Sequence, residues 1–266
     1  MASRVIAVAN QKGGVGKTTT AVNIAAGLAA AERHVLLVDG DPQANTTSGV
    51  GIHKDAVGLS TYDVLLEPSV AADSIVRSVQ FDLLDLMPAT PDLAAAEVEL
   101  VNEPGRELRM RMSLERIREH YDYVVIDCPP SLGIITLNML TAADAVLIPL
   151  QCEYYALEGL SQLLRTIDTI KKELNPALEI DGVVLTMFDS RLNLSRQVAE
   201  DARAHFGHLV FESVIPRNIR LAEAPSFGKP IMAYDVASVG AQAYLGVVGE
   251  LIQRSQRVEQ QTLAAI

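Results

Sequence analysis

The sequence predicts an α/β fold, a doubly wound and mostly parallel sheet with helices on both faces. Three observations lead there. Short runs of Val, Ile and Leu recur without polar alternation, so they read as strands buried on both sides. Stretches of helical length separate them, the order expected of right-handed crossover units. Carboxylates gather where strands end, at Asp39, Asp41 and Asp127, and that edge is where open α/β sheets bind ligands.

Taken in order, Val5 to Ala9 is a fully apolar strand that runs into a glycine-rich turn. A helix follows from about Thr18 to Ala31, with Val22, Ile24, Ala25 and Leu28 as its buried stripe. Val35 to Val38 is a second strand, closed by Asp39-Gly40-Asp41-Pro42. Residues 40–60 are rich in Gly, Asn, Thr and Ser and read as a functional loop, and Thr61 caps a short helix reaching Leu66. Leu83 to Met87 is a strand, and Asp92 to Val101 and Gly105 to His120 are helices parted by Glu103-Pro104-Gly105. Tyr123 to Ile126, Ala145 to Ile148 and Val183 to Leu185 are further strands. Helices are expected from about Leu157 to Leu174 and from Leu194 to Phe206, then a strand from Val210 to Ile215 and a closing helix from Ser238 to Arg254.

No repeat or linker interrupts this pattern, so one domain is expected over residues 1–266. Half of the 266 residues are apolar (49%), enough for a sizeable core, while aromatics are scarce and Trp is absent. No apolar run approaches the roughly 18 residues a bilayer span needs, and the first run is too short for a signal peptide. The two cysteines, Cys128 and Cys152, offer no disulfide framework. A cytoplasmic protein is expected. The net charge of -11 argues against nucleic-acid binding, because a basic footprint is its usual signature.

The strongest signal is Gln11-Lys12-Gly13-Gly14-Val15-Gly16-Lys17-Thr18-Thr19. Gly16-Lys17-Thr18 matches the end of a Walker A phosphate loop, but Gln11 stands where its first glycine belongs, and Lys12 is an extra lysine. Glycines let the backbone turn several N–H groups inward onto phosphate oxygens. The helix that follows points its positive end at the same anion. Lys17 then reaches the β- and γ-phosphates, and the Thr18 hydroxyl can ligate Mg²⁺. Asp127, ending a strand beside this loop, can hold Mg²⁺ through water.

These residues carry a family resemblance. The segment from Lys12 to Thr19 resembles the deviant Walker A loop of the ParA/MinD superfamily, which includes nitrogenase iron protein. Val38-Asp39-Gly40-Asp41-Pro42-Gln43-Ala44-Asn45 matches a second signature, and Val125-Ile126-Asp127-Cys128-Pro129-Pro130 its Walker B and switch II segment. Ile215-Pro216-Arg217-Asn218 and Leu221-Ala222-Glu223-Ala224-Pro225-Ser226 are similar to the chromosome-partitioning ParA/Soj branch, and the resemblance runs from about residue 4 to 254.

The resemblance implies a slow, partner-stimulated ATPase that takes ATP and Mg²⁺. Lys12 would cross a homodimer interface to the partner's ATP, acting as an arginine finger does. Asp41 would orient the attacking water and Asp39 would lie near the Mg²⁺ shell; of the three aspartates, Asp39 is the one that could be only a cap or loop residue. Met187, Pro216, Arg217 and Asn218 would meet the base, unless Met187 and Pro216 are ordinary packing residues. Arg191 and Arg220 would contact phosphates of double-stranded DNA without sequence preference, two cations per protomer that dimerisation doubles. Otherwise they are arginines of a solvated face or of surface salt bridges. A ParB-like centromere-binding protein would stimulate hydrolysis, and the protein would associate with the nucleoid.

No helix-turn-helix precedes residue 4, which fits the short chromosomal type. Three other readings compete. A MinD-like membrane-positioning ATPase needs a terminal amphipathic helix, and Ser255 to Leu263 is polar; no membrane partner is expected. An iron–sulfur reductase needs two suitably placed cysteines per subunit, and these two look packed instead. An amide-forming or phosphoryl-transfer ATPase would need further pocket chemistry, and the five histidines form no convincing cluster.

Overall fold

The apolar runs form six strands: β1 (Arg4–Val8), β2 (Val35–Asp39), β3 (Leu84–Met87), β4 (Tyr123–Asp127), β5 (Ala145–Gln151) and β6 (Glu179–Thr186). They make one sheet in the order β3-β2-β4-β1-β5-β6, and every pairing is parallel. This computed structural model describes the backbone of residues 3–153 and 156–264 and the side chains of 3–153, 160–258 and 260.

Successive strand residues enter opposite cores, which is why the strands read as unbroken apolar runs. Val5 and Ala7 join Leu36, Val38, Val124 and Ile126 on one face, and Ile6 and Val8 join Val35, Leu37 and Val125 on the other.

The helices are α1 (Lys17–Ala30), α2 (Asn45–Gly49), α3 (Thr61–Leu66), α4 (Ala96–Glu99), α5 (Arg109–Glu115), α6 (Ile134–Ala142), α7 (Ala156–Glu173), α8 (Asn193–Phe206), α9 (Ile219–Glu223), α10 (Ile231–Tyr234) and α11 (Val239–Ala264). Residues of α3 to α8 cover the first face, and those of α1 and α9 to α11 the second.

Several expectations change. Residues 210–215 form no strand. Val210 bridges Val183 and Pro216 bridges Phe188, but between them the N–H groups of Glu212 and Ser213 donate to the Glu250 carboxylate on α11 at 2.9 and 2.7 Å. Those donors are lost to the ladder. The helix expected over 105–120 shrinks to α5, with 3-10 turns on each side at Arg106–Leu108 and Arg118–His120. That over 92–101 becomes the 3-10 segment Pro91–Ala95 followed by α4. The 40–60 loop contains α2, and α11 continues ten residues past Arg254. The sequence reading had no counterpart for α6.

Candidate functional site

The phosphate loop leaves β1 through Asn10, whose amide donates to the Pro149 carbonyl on β5 at 2.7 Å and accepts from the Lys12 N–H at 3.0 Å. Gly14 (φ 75°) and Gly16 (φ 88°) adopt left-handed backbone that glycine takes without strain. Buried Val15 accepts a hydrogen bond from the Thr186 hydroxyl at 2.9 Å, which ties the loop to the end of β6. α1 starts at Lys17, and Gly16 gives it no side-chain cap. The N–H groups of its first turn therefore face the loop with the positive end of the helix dipole behind them.

Lys17 is buried and donates to the Lys12 carbonyl at 3.1 Å. Burial lowers its pKa, an effect that nearby Asp127 partly opposes.

The carboxylates come together through strand register. β2 and β4 are neighbours, and Asp39 pairs directly with Asp127. Gly40 permits this packing: a Cβ there would lie 2.7 Å from the Asp127 carbonyl oxygen. Both side chains are fully buried. Burial first, then repulsion from Asp39, raises Asp127 to about 7; burial likewise raises Asp39 to about 6.

Their partners separate their roles. Oδ2 of Asp39 accepts from the Thr47 N–H at 2.8 Å and the Thr47 hydroxyl at 2.6 Å, while Oδ1 accepts from the Asp41 N–H at 3.2 Å. Oδ2 of Asp127 accepts from the Thr46 hydroxyl at 2.8 Å. The Thr18 hydroxyl is near enough to favour the ionised form of Asp127, yet Oδ1 stays buried without a hydrogen-bond partner. A buried polar atom without a partner is costly, and Thr18 of the loop adjoins the same carboxylate. A hard divalent cation suits that donor set. Asp39 instead spends its oxygens holding the turn. Asp41 is half-buried, and its Oδ1 accepts from the Gln43 N–H at 2.9 Å.

Met187, Pro216, Arg217 and Asn218 line one cavity of about 280 Å³ with Gly16 and Thr19 of the loop, so these six residues meet. Met187 holds a left-handed backbone (φ 50°), and Asn218 Oδ1 caps α9 by accepting from the Leu221 N–H at 3.2 Å. Gln11 reaches the Thr166 hydroxyl at 3.4 Å, and Gly13 is exposed.

Lys12 is not near an acceptor of its own loop. Its Nζ lies 3.2 Å from Glu153, which also accepts from the Gln151 amide at 2.5 Å. Arg191, 87% exposed, is held by Asp189 through two hydrogen bonds of 2.9 and 2.7 Å. Arg220 pairs with Glu223 at 3.1 Å and Asp235 at 3.5 Å. The Arg217 N–H donates to the Phe188 carbonyl, so the segments that bear Arg191 and Arg220 adjoin at the β6 edge.

Asn10, Thr46, Thr47 and Glu153 escaped the sequence reading. Asn10, Thr46 and Thr47 had only their closeness in sequence to the loop and to Asp41 as a signal, and Glu153, 141 residues from Lys12, had none. The two cysteines are buried, and burial pushes both thiols up, Cys152 to about 11.

A parallel sheet with a glycine loop, a helix N-terminus, a buried lysine and aspartates at its carboxyl edge defines a P-loop nucleoside triphosphatase. A family model described as an AAA domain matches residues 3–180. The chain is 56% identical to the chromosome partitioning protein ParA of Myxococcus xanthus over 94% of its length and 88% of that protein. It is 54% identical to the sporulation initiation inhibitor protein Soj of Bacillus subtilis over 93% of its length and 98% of that protein. A solved structure named cobyrinic acid a,c-diamide synthase, from Mycobacterium smegmatis with a bound ATP analog and magnesium, superposes with a TM-score of 0.83. It shows 40% identity and covers 96% of each chain. This chain belongs to the ParA/Soj family of the ParA/MinD ATPases.

Proposed function

We propose that this protein is a DNA-partition ATPase whose ATP-bound homodimer grips double-stranded DNA and whose slow hydrolysis, stimulated by a ParB-like protein, releases it. The observation that carries this reading is the orphaned Oδ1 of Asp127 beside Lys17 and the bare first turn of α1. Those groups present a cation site and an anion site side by side, and ATP with Mg²⁺ satisfies both. The identity to ParA and Soj supports the cellular role.

In this reading the N–H groups of Gly13 to Thr19 cradle the phosphates and Lys17 neutralises their charge. Thr18 and Asp127 hold Mg²⁺, which supplies charge neutralisation when bound. Asp41, freer than Asp39, orients the attacking water. Met187, Pro216, Arg217 and Asn218 enclose the base. Lys12 leaves Glu153 and reaches the partner's nucleotide.

The acidic total does not oppose DNA binding, because its charge lies elsewhere. Residues 61–105 hold nine carboxylates and one arginine, a net charge of -8, whereas residues 181–254 hold eight carboxylates and seven cations. Arg191 and Arg220 belong to that nearly balanced part, and the field at one face governs binding. Each must exchange a carboxylate of its own chain for a phosphate, so the affinity is modest and salt-sensitive.

Gel shifts at low salt with ATP, ADP and a non-hydrolysable analogue test the reading. Binding is expected with ATP and the analogue and not with ADP. Four phosphate contacts per dimer give a log–log salt slope of about -3.6. Arg191→Glu with Arg220→Glu should abolish the shift; parent-like binding by that variant would remove the DNA assignment.

The structural likeness to a protein named as a diamide synthase favours a second reading, ATP-driven amidation of a small molecule. The greater identity to partition proteins weighs against it. Acid-dependent ATP turnover with cobyrinic acid and an ammonia donor, in the absence of DNA, would reverse that choice.

A further inference from the structure

A second cavity, of about 400 Å³, lies at the amino edge of the sheet, the end opposite the nucleotide site. Strand register places it there. β1 begins at Arg4 beside Tyr123 of β4, and β6 begins at Glu179 beside Ala145 of β5. Tyr123 and Asp127 are the two ends of β4, about 13 Å of strand apart. Ile252, Ser255 and Val258 of α11 supply part of the wall. The helix is pinned at that point, because the Arg254 guanidinium donates to the carbonyls of Asp181 and His208 at 2.9 and 3.0 Å. A concave site of this size with a mixed apolar and charged lining suits a small organic ligand.

Its polar groups are incompletely paired. Among the described residues, five buried side-chain atoms lack a hydrogen-bond partner, and Ser3 Oγ and Arg4 Nε, both on residues that line this cavity, are two of them. Asp181 Oδ2 is a third. Arg4 Nη2 meets Asp181 Oδ1 at 2.9 Å, yet Nε and Oδ2 do not complete the bidentate pair that an arginine and a carboxylate favour. Unpaired buried donors are costly until something satisfies them. Arg118 is already engaged, donating to the Ser3 carbonyl and to Asp144. Arg33, half-buried in the turn between α1 and β2, makes no side-chain hydrogen bond or ion pair among the described residues.

The carboxylates of the lining are better served. Asp122 accepts from the His34 N–H at 2.9 Å, and Asp144 accepts from the Val5 N–H at 2.8 Å as well as from Arg118. Glu179 is exposed, so water and salt screen it. The buried donors left over therefore ask for an acceptor, and the uncommitted cation asks for an anion.

We propose that this cavity binds a small organic carboxylate, its anionic group on the Arg33 guanidinium and its apolar body along Tyr123 and Ile252. A planar carboxylate matches the donor fork of a guanidinium, and Ser3 Oγ and Arg4 Nε are further donors. One free guanidinium neutralises one charge. A phosphate monoester would bring nearly two, against Asp122, Asp144 and Glu179. The inference does not rest on the ATPase reading.

The probes are 2-naphthoate and octanoate, one aromatic and one aliphatic body, with 2-naphthalenemethanol as the neutral control. Isothermal titration calorimetry of the full chain is expected to give a Kd of about 0.1 mM for the better carboxylate and at least about tenfold weaker binding for the alcohol. Saturating Mg-ADP should leave that Kd unchanged, because the nucleotide occupies the other end of the sheet. Arg33→Gln removes the free cation and should weaken binding about tenfold. Ala177→Trp places a large side chain on an exposed lining residue and should abolish binding by filling the cavity. Both variants should melt within about 2 °C of the parent, so that lost binding is not lost folding.

No binding of either carboxylate by the parent would overturn the proposal and leave the cavity to water. Parent-like affinity in both variants would also overturn it, as would displacement of the probe by Mg-ADP, which would assign the probe to the nucleotide cavity. Equal binding of the alcohol would remove the carboxylate from the assignment.

Discussion

Replacing Asp127 by Asn should stabilise the nucleotide-free protein at neutral and higher pH. Asp127 is fully buried, faces Asp39 across the β2–β4 register, and leaves Oδ1 unpaired. Its pKa is raised to about 7 from an ordinary 3.8, mainly by burial and next by Asp39. A raised carboxyl pKa means that the proton favours the folded state. The stabilisation is complete below about pH 4 and is lost as pH rises through about 7. At about 1.4 kcal/mol per pH unit, the ionised form costs up to about 4 kcal/mol. Asp39 shares that cost, and proton exchange between the pair reduces the share that one substitution recovers, to about 2 kcal/mol. Asn keeps the shape and the acceptor for Thr46. In a chain of this size the melting temperature should therefore rise by about 5 °C at pH 8 and by only about 2 °C at pH 5, where about a third of the cost is already present. Differential scanning calorimetry in metal-free buffer measures both. A variant that melts below the parent at pH 8, or shows no difference between the two pH values, would refute the electrostatic reasoning.

Two further outcomes follow from the same site. Asp41→Ala should slow ATP turnover by about 100-fold or more while the ATP-bound dimer persists; turnover near the parent rate in a phosphate-release assay would contradict the role given to Asp41. Glu153→Gln should release Lys12 from its ion pair. The pair is partly exposed, with side chains 35% and 48% accessible, so its contribution is about 1 kcal/mol at most. ATP-dependent dimerisation should then tighten by about two- to threefold, measured by analytical ultracentrifugation, and a weaker dimer would oppose the reasoning.

Much of the site was legible because its signals are local. Gly14 and Gly16 are needed for a turn of the chain itself, and Asp39, Asp41 and Asp127 follow apolar strands directly. The cavity joining Met187 and Pro216 to Gly16 came from a family pattern, and the structure does bring those residues together. What escaped depends on distant partners. Glu250 breaks the strand expected over 210–215 from a helix nearly forty residues away. Thr47 takes up Asp39, and Glu153 holds Lys12 across the fold. α6 is buried almost all round, with Ile135, Thr136, Asn138, Met139 and Leu140 all inside, so it has no polar face to mark a helical period. The strand order was likewise invisible, since parallel neighbours need not be neighbours in sequence.

The account turns on whether Lys12 serves a second subunit. Multi-angle light scattering of Lys12→Ala with ATP and Mg²⁺, alongside nucleotide binding by calorimetry, tests it most directly. The parent should double its mass on adding ATP, while the variant should bind ATP within about threefold of the parent and remain at the mass of one chain. A Lys12→Ala protein that dimerises with ATP as the parent does would contradict the account.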